Sequence, residues 1–167
     1  MDSNQNSSPL LDEATADSIQ HHTSINVAGR DAHNRPSVAR ALGCFVSADR
    51  RQITVFLSPQ RAAAVLRDLR DNGAIAVVVN RPTTHGATQL KGKVARIEPV
   101  SPADLQKMAV YLDSFVEELG RIGYPASFIR TMDPEIGRDC LAVTFDVTAA
   151  YDQTPGPKAG QNLSPAS

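Results

Sequence analysis

The segment Ser58-Pro59-Gln60-Arg61 combines residue types that can bind a phosphate group. A dianionic phosphate needs fixed hydrogen-bond donors, which an Arg supplies as a planar fork and a Ser as a hydroxyl. Ser58-Pro59 is typical of a helix start, with Ser58 as N-cap and Pro59 as the first helical residue, and the unpaired N–H groups of such a start attract anions. Arg61 is then one turn inside the helix. In the purely structural interpretation, Ser58 only caps the helix and Arg61 only faces solvent.

Gln89 and Lys91 form a second pair of candidate ligand-binding residues. They are two residues apart in a segment with strand alternation, so we expect both side chains on one face of the strand. The amide of Gln89 offers one acceptor and a pair of donors, while Lys91 offers a positive charge. The alternative is that both are ordinary polar residues on a solvated strand face.

Metal and hydrolytic chemistry have little support in the sequence. Cys44 and Cys140 lie far apart without Cys-x-x-Cys spacing, which predicts two buried thiols rather than a zinc or redox site. His21 and His22 are adjacent on a predicted strand, so they point to opposite faces and do not share an ion. His85 occupies a loop that could line a ligand cleft or be an ordinary loop. No Ser lies in a Gly-x-Ser-x-Gly elbow.

Composition predicts one globular domain. The chain has 167 residues, of which 41% are hydrophobic and 21% charged. A formal net charge of -1 gives no summed field that would hold the protein on nucleic acid or an anionic membrane. The N-terminus lacks the pattern of a secretory signal, and no run reaches the length of a membrane span, so we expect a cytoplasmic protein.

The ends of the chain differ in composition from its middle. Residues 1–17 are rich in Ser, Asn and Asp, and residues 153–167 carry Pro, Gly and Ser, which predicts a disordered N-terminal tail and a flexible C-terminal tail around a domain at residues 18–152. The tail motif at residues 151–160 is either a flexible end or a lid that crosses to a partner subunit.

Between the tails, hydrophobic periodicity predicts mostly strands. We expect strands at residues 19–28, 37–47, 53–57, 74–80, 87–100 and 140–147. Helices are expected from Ser58 to residue 72 and from Ser101, with its capping-box partner Asp104, to residue 119, with one further turn at residues 125–132. Gly92 marks a bulge or a close backbone approach. This order predicts an α+β, mainly β, fold: a six-stranded antiparallel barrel with two or three peripheral helices.

The order and spacing of four segments resemble the pyridoxamine 5'-phosphate oxidase-like proteins, the flavin-binding split barrels. The resemblance covers about residues 19–147. The segments are RPSVAR at residues 35–40, VFLS at residues 55–58 leading to Arg61, AIAVVVN at residues 74–80, and TQLKGKVARI at residues 88–97.

The resemblance implies a homodimeric split β-barrel that holds FMN at the subunit interface. By position, Arg40, Ser58 and Arg61 resemble the family's phosphate ligands, and Gln89, within the Thr88-Gln89-Leu90-Lys91 step, resembles the amide that reaches the flavin ring. Thr88 and Lys91 are therefore included among the expected cofactor-binding residues, with Lys91 near the edge that becomes anionic on reduction.

The expected activity is that of an FMN-dependent oxidoreductase acting on a small molecule, with no residue assigned as a general acid or base. One alternative is a carrier or sensor that holds flavin, or haem through a His such as His85, without turnover. Another is a structural or partner-binding dimer with no cofactor.

Overall fold

The computed structural model describes residues 10–132, 137 and 139–163. Residues 1–9 and 164–167 of the two predicted tails lie outside the described residues. The helices are α1 Glu13–Gln20, α2 Ala63–Asn72, α3 Pro102–Gly120 and α4 Ala126–Met132. The strands are β1 Ser24–Arg30, β2 Pro36–Arg40, β3 Cys44–Val46, β4 Gln52–Leu57, β5 Ala74–Asn80, β6 Ala87–Pro99 and β7 Leu141–Asp152. In the described part of the chain, no helix combines the length and apolar character needed to span a membrane.

The strands form one antiparallel sheet in the order β2-β1-β5-β6-β7-β4-β3. The last strand in sequence, β7, therefore lies inside the sheet between β6 and β4. The two strands at the ends of this order are joined directly by a corner at residues 41–43. The Ala41 N–H donates to the Ile25 carbonyl at 3.0 Å, and the Leu42 N–H donates to the Phe56 carbonyl at 2.8 Å. The corner thus ties both ends together and curls the sheet into a half-barrel.

Alternate residues of the sheet point into one core. On β1 and β5 the buried positions are Ile25, Val27, Ile75, Val77 and Val79. Helix α2 belongs to the same core through its buried residues Val65, Leu66 and Leu69. The intervening residues of β2, β1, β5, β6 and β7 point the other way and form what we call the outer face.

Helix α3 confirms the predicted capping box. The Ser101 hydroxyl accepts from the Asp104 N–H, and the Asp104 carboxylate accepts from the Ser101 N–H at 2.9 Å, so the first turn satisfies donors that would otherwise be unpaired. The helix packs Met108 against Phe56 in a small apolar cluster. The Tyr111 hydroxyl donates to a backbone carbonyl just before β1, at Thr23, over 2.6 Å.

Gly92 confirms the predicted close approach. The pairing of β6 with β7 shifts register between Lys91 and Gly92. A Cβ built at Gly92 would collide with the Asp146 carbonyl and the ring of Phe145. Only glycine fits this bulge without moving β7.

The strand count differs from the prediction: within the described residues the sheet has seven strands rather than six. The predicted strand at residues 37–47 is divided by the corner, where Gly43 adopts a φ of 140° that L side chains rarely adopt. The first strand starts at Ser24 rather than residue 19, because the buried Ile19 belongs to α1. The last strand continues to Asp152.

The helices also exceed the predicted two or three, since the described residues contain four. Helix α1 begins inside the segment predicted as a disordered tail. Its N-cap Asp12 accepts from the Thr15 N–H at 2.7 Å, and Ala16 and Ile19 are buried. A short helix with only a few apolar residues gives a weak periodic signal, although its packing against the sheet stabilises it.

The described part of the predicted C-terminal tail, residues 153–163, folds back on its own chain. The Asp152 N–H donates to the Gln161 carbonyl at 2.8 Å, and the Leu163 N–H donates to the Ala150 carbonyl at 2.8 Å. Residues rich in Pro and Gly thus form an ordered return loop against β7.

Candidate functional site

Five residues form a row across the outer face at one level of the sheet. Because directly paired residues of antiparallel strands point to the same side, the register places them next to one another. From β2 through β1, β5 and β6 to β7, the row is Arg40, Asn26, Val78, Gln89 and Tyr151. Arg40 and Gln89 are three interstrand steps apart, about 14 Å at the usual spacing of about 4.8 Å. A guanidinium and an amide are therefore held at a fixed separation on one surface.

Arg40 is held at the end of β2 by an aromatic neighbour. Its guanidinium carbon lies 4.7 Å from the centre of the Phe115 ring, and Phe115 is itself buried on α3. A guanidinium over an aromatic face gains a cation–π attraction, which limits the directions in which the side chain can point. The long Arg40 side chain is half-buried and positioned before any ligand arrives.

Ser58 and Arg61 do not begin the helix as predicted. Helix α2 starts at Ala63 with Ala62 as N-cap and no side-chain cap, while residues 58–62 form a turn that precedes it. Ser58 is 4% exposed, and the Arg61 N–H points to its Oγ at 3.5 Å. The segment therefore does not form the helix start that was expected to provide an anion site.

The corner at residues 41–43 brings Arg40 and Ser58 to the same end of the sheet. Leu42 is hydrogen-bonded to Phe56, and these two residues lie two positions from Arg40 and Ser58 respectively. Arg61 follows in the same turn, and its Nη1 donates to the Met132 carbonyl at the end of α4 over 2.9 Å. Two cationic side chains and one hydroxyl therefore belong to this corner of the fold.

Gln89 and Lys91 share the outer face, as their spacing predicts. Their paired residues on β7 are Tyr151 and Ala149. The Oε1 of Gln89 accepts from the Nε2 of Gln153 at 3.2 Å. The Nζ of Lys91 lies 5.3 Å from the centre of the Tyr151 ring, within cation–π range.

Asn26 and Val78 lie between Arg40 and Gln89 in the row, and small side chains lie beside them at the next level of the outer face. Ala28 on β1 pairs with Ala76 on β5, and Ala76 pairs with Lys91. Ala28, Ala76 and Val78 are all half-buried. Together they form an apolar floor next to the exposed Asn26, and an apolar floor suits the flat side of a ring system.

Thr88 does not join this arrangement. It alternates with Gln89, so it points to the opposite side of β6 and lines a separate cavity of about 290 Å³ at the end of the barrel. Arg81, Thr154 and Leu163 also line that cavity. Thr88 is therefore separated from the outer-face residues by the sheet itself.

A buried carboxylate organises the loop beside that cavity. Glu118 is fully buried and accepts hydrogen bonds from the Arg81 Nε at 3.2 Å, from the Thr83 N–H at 3.1 Å and from the Thr83 hydroxyl. Burial raises the pKa of Glu118, but the hydrogen bonds from Thr83 and Arg81 outweigh it and hold the pKa below its ordinary value. Glu118 thus links α3 to the β5–β6 loop through an ion pair with Arg81 and hydrogen bonds from Thr83.

His21 and His22 are not placed as predicted, whereas His85 lies in the predicted loop. His21 and His22 lie between α1 and β1 rather than on a strand, and the Nδ1 of His22 contacts the Ser114 carbonyl at 3.0 Å. His85 is exposed in the β5–β6 loop with a φ of 60°. Among the described residues, no group of three or more His, Cys, Asp or Glu side chains could hold a metal ion.

Both cysteines are buried and free, as predicted. The Cys44 thiol lies 3.1 Å from the Ile19 carbonyl, and burial raises its pKa to about 12. Cys44 therefore remains a thiol at neutral pH and is a weak nucleophile.

Sequence reasoning missed Asn26, Tyr151 and Gln153 as neighbours of the candidate residues. Tyr151 and Gln153 were assigned to the tail motif, and the signal that could have found them is the β-branched and aromatic alternation that continues beyond residue 147. Asn26 carries no such local signal, because only the register of β1 against β2 and β5 brings it into the row.

Comparison with known proteins identifies the fold. No family model matches the chain, and no curated protein matches it. An F420 reductase structure matches with a TM-score of 0.56 and 16% identity over 84% of this chain and 98% of the other. A candidate pyridoxamine 5'-phosphate oxidase from Lactobacillus delbrueckii matches with a TM-score of 0.54 and 12% identity, over 88% of this chain and 97% of the other. The structure of HupZ from Group A Streptococcus matches with a TM-score of 0.53 and 15% identity, over 90% of this chain and 99% of the other. The expected fold, that of the pyridoxamine 5'-phosphate oxidase-like split barrels, is confirmed.

Proposed function

We propose that this split-barrel chain binds FMN along its outer face, with the phosphate at the Arg40 end of the row and the ring system at the Gln89 end. The observation that carries the proposal is the row itself: a guanidinium and an amide on one face, three interstrand steps apart, with Asn26 and Val78 between them and the small Ala28 and Ala76 side chains at the next level. FMN is an elongated molecule with a dianion at one end and a hydrogen-bonding ring edge at the other, so the two ends of the row match its two ends.

The side chains present fit each part of the cofactor. Arg40 offers a planar fork for the phosphate, with the Ser58 hydroxyl and Arg61 in the adjoining turn. Gln89 and Lys91 offer a donor and a positive charge to the ring edge, and Ala76 belongs to the floor beneath it. When bound, FMN supplies hydride transfer, while the protein binds it, orients it and controls access.

The fold of the three similar structures supports a flavin or a related cofactor. One of them is an F420 reductase and another is a candidate pyridoxamine 5'-phosphate oxidase. We therefore propose an FMN-dependent oxidoreductase that acts on a small molecule, rather than a protein that binds nucleic acid or a membrane.

Titration of the purified protein with FMN, followed by flavin absorbance and fluorescence, tests the binding proposal. Arg40→Ala should raise the Kd for FMN about tenfold to a hundredfold, because it removes a charge-assisted hydrogen bond. Arg30→Ala is the matched control: Arg30 is on the same strand as Asn26, four residues further along β1, and should leave the Kd unchanged. A native protein that binds no FMN, or equal effects of the two variants, would refute the assignment.

We further propose that the working unit is a homodimer with the cofactor at the subunit interface. The floor residues are half-exposed in the single chain, and Val38, at the β2 end of the outer face, is 70% exposed. A second copy would cover this apolar surface and enclose the ring. Sedimentation equilibrium should give twice the chain mass, and Val38→Glu should shift it toward the single-chain mass; a native single chain at micromolar concentration would contradict the proposal.

A measurement of turnover distinguishes an oxidoreductase from a flavin carrier or sensor. If the protein is an oxidoreductase, a nicotinamide nucleotide or another hydride donor should bleach the absorbance of the bound flavin, and a small-molecule acceptor should restore it. Flavin that stays bound but resists every such donor would favour the carrier or sensor.

A further inference from the structure

The C-terminal return loop is attached to the first residue of β6. The Gln153 N–H donates to the Ala87 carbonyl at 2.8 Å, and the Ala87 N–H donates to the Thr154 Oγ1 at 3.0 Å. The first bond extends the β6–β7 ladder beyond Asp152, the last residue of β7, and the second attaches the Thr154 side chain to β6. The backbone of Gln153 is therefore fixed beside the strand that carries Gln89.

The loop itself is held closed by further hydrogen bonds. The Asp152 carboxylate accepts from the Thr154 N–H at 2.8 Å, and hydrogen bonds from Thr154 hold the pKa of Asp152 below its ordinary value. The Gly160 N–H donates back to the Asp152 carbonyl at 2.6 Å, and Tyr151 pairs with Asn162. The side chain of Gln153 thus extends from a braced backbone.

The hydrogen bond between Gln153 and Gln89 has a defined direction. The Nε2 of Gln153 donates to the Oε1 of Gln89 at 3.2 Å, and both side chains are half-buried. An amide whose oxygen is already engaged by a neighbour presents its NH₂ group elsewhere. Without that neighbour, the two ends of the Gln89 amide could exchange places at little cost.

We infer that Gln153 is a positioning residue that fixes the Gln89 amide so that it presents a donor, and not an acceptor, to the cofactor. The inference rests on the proposed FMN site. The flavin ring edge carries several acceptors, whose electron density rises when the cofactor is reduced. A fixed N–H donor therefore binds the reduced cofactor more tightly than the oxidised one, and the C-terminal loop tunes the reduction potential.

The test compares Gln153→Ala with Gln89→Ala in the FMN-loaded protein. Each single variant should lower the ratio of reduced-FMN to oxidised-FMN affinity about tenfold, the loss of one hydrogen bond to a charged acceptor. For a two-electron couple, a tenfold change in this ratio corresponds to about 30 mV in the measured potential. In the double variant the ratio should equal that of Gln89→Ala alone, because Gln153 acts only through Gln89.

Gln161→Ala is the matched control, since Gln161 is in the same loop and its side chain is exposed. It should leave the potential unchanged, and thermal melting should show that all variants remain folded. In the FMN-free protein, Gln89→Ala should shift the side-chain amide resonance of Gln153, which reports the hydrogen bond independently of the cofactor.

The outcomes separate the inference from the proposed function. A native protein without FMN binding would overturn both. Two outcomes would overturn only the role of Gln153. In the first, the native protein binds FMN but Gln153→Ala leaves the reduction potential unchanged. In the second, Gln153→Ala changes the potential as much in the Gln89→Ala background as in the native protein. An equal shift in Gln161→Ala would also overturn it, because the effect would then belong to the loop as a whole.

Discussion

Arg40 lies with its guanidinium carbon 4.7 Å from the centre of the Phe115 ring, so a residue of α3 holds the cation at the end of β2. Helix α3 thereby helps to position the cation that we propose as a phosphate ligand. A guanidinium stacked on a ring is restrained in the direction in which its N–H groups point.

Phe115→Leu should therefore weaken FMN binding while the fold persists. Leucine retains most of the apolar volume but removes the aromatic face, and a partly buried cation–π contact contributes about 1 kcal/mol. We expect a Kd for FMN roughly fivefold higher. Phe128→Leu, at an exposed position on α4, is the control and should bind FMN normally; an unchanged Kd in Phe115→Leu would mean that the ring does not orient Arg40.

Arg61→Ala should distinguish FMN from riboflavin, which lacks the phosphate. The Arg61 side chain also donates to the Met132 carbonyl, so its loss can loosen α4 and affect both ligands equally. If Arg61 contacts the phosphate, Arg61→Ala should raise the Kd for FMN about tenfold more than the Kd for riboflavin. Arg70→Ala, near the other end of α2, controls for the loss of surface charge; equal losses for FMN and riboflavin would remove Arg61 from the phosphate site.

Glu118→Gln should destabilise the protein at neutral pH by about 2 kcal/mol, since a neutral amide replaces a carboxylate that accepts from Arg81 and Thr83. The pKa of Glu118 is lowered in the folded state, so the ionised group stabilises the fold above its unfolded pKa. That contribution is lost as pH falls through the folded pKa.

Urea unfolding of the native protein and Glu118→Gln, repeated at pH 7 and at acidic pH, checks this expectation. The stability difference should be largest at pH 7 and shrink as the pH falls below about 4.5, the ordinary value for Glu. A difference that grows on acidification would contradict the assignment of the charged form.

Gly92→Ala should destabilise the fold by about 3 kcal/mol, because the new methyl group collides with the Asp146 carbonyl and the Phe145 ring. Gly120→Ala is the control, since a Cβ at Gly120 meets no atom within 4 Å. Thermal melting should separate the two variants clearly, and equal melting temperatures would show that the β6 bulge can relax.

The sequence correctly predicted those elements of the fold that have a clear local sequence pattern. The capping box at Ser101 and the bulge at Gly92 were both readable, because each depends on residue types at short spacing. The apolar run at residues 74–80 correctly predicted a strand, β5, which lies inside the sheet between β1 and β6. Its outer side chains are nonetheless half-exposed, since they form the floor of the outer face.

The assembly of the site depends on longer-range geometry. The alternation of side chains along a strand places Gln89 and Lys91 on one face of β6 and Thr88 on the opposite face. The same rule could therefore have excluded Thr88 from the set of cofactor-binding residues. Local patterns do not predict the corner that brings Arg40 and Ser58 to the same end of the sheet, because Ala41 and Leu42 resemble strand residues and the chain turns at the positive φ of Gly43. The family resemblance alone implied that the two residues act together. Gln153 was missed because a Pro- and Gly-rich segment suggests a tail, whereas backbone hydrogen bonds to β6 and β7 hold it in place.

The position of β7 inside the sheet has a consequence for synthesis of the protein. Strand β4 has its long-range partner in β7, which the ribosome completes only at Asp152. Nascent chains that end before Leu141 therefore carry an unpaired β4 edge, a surface open to aggregation and to chaperones. The sheet is completed only once β7 has been translated, rather than strand by strand as the chain emerges.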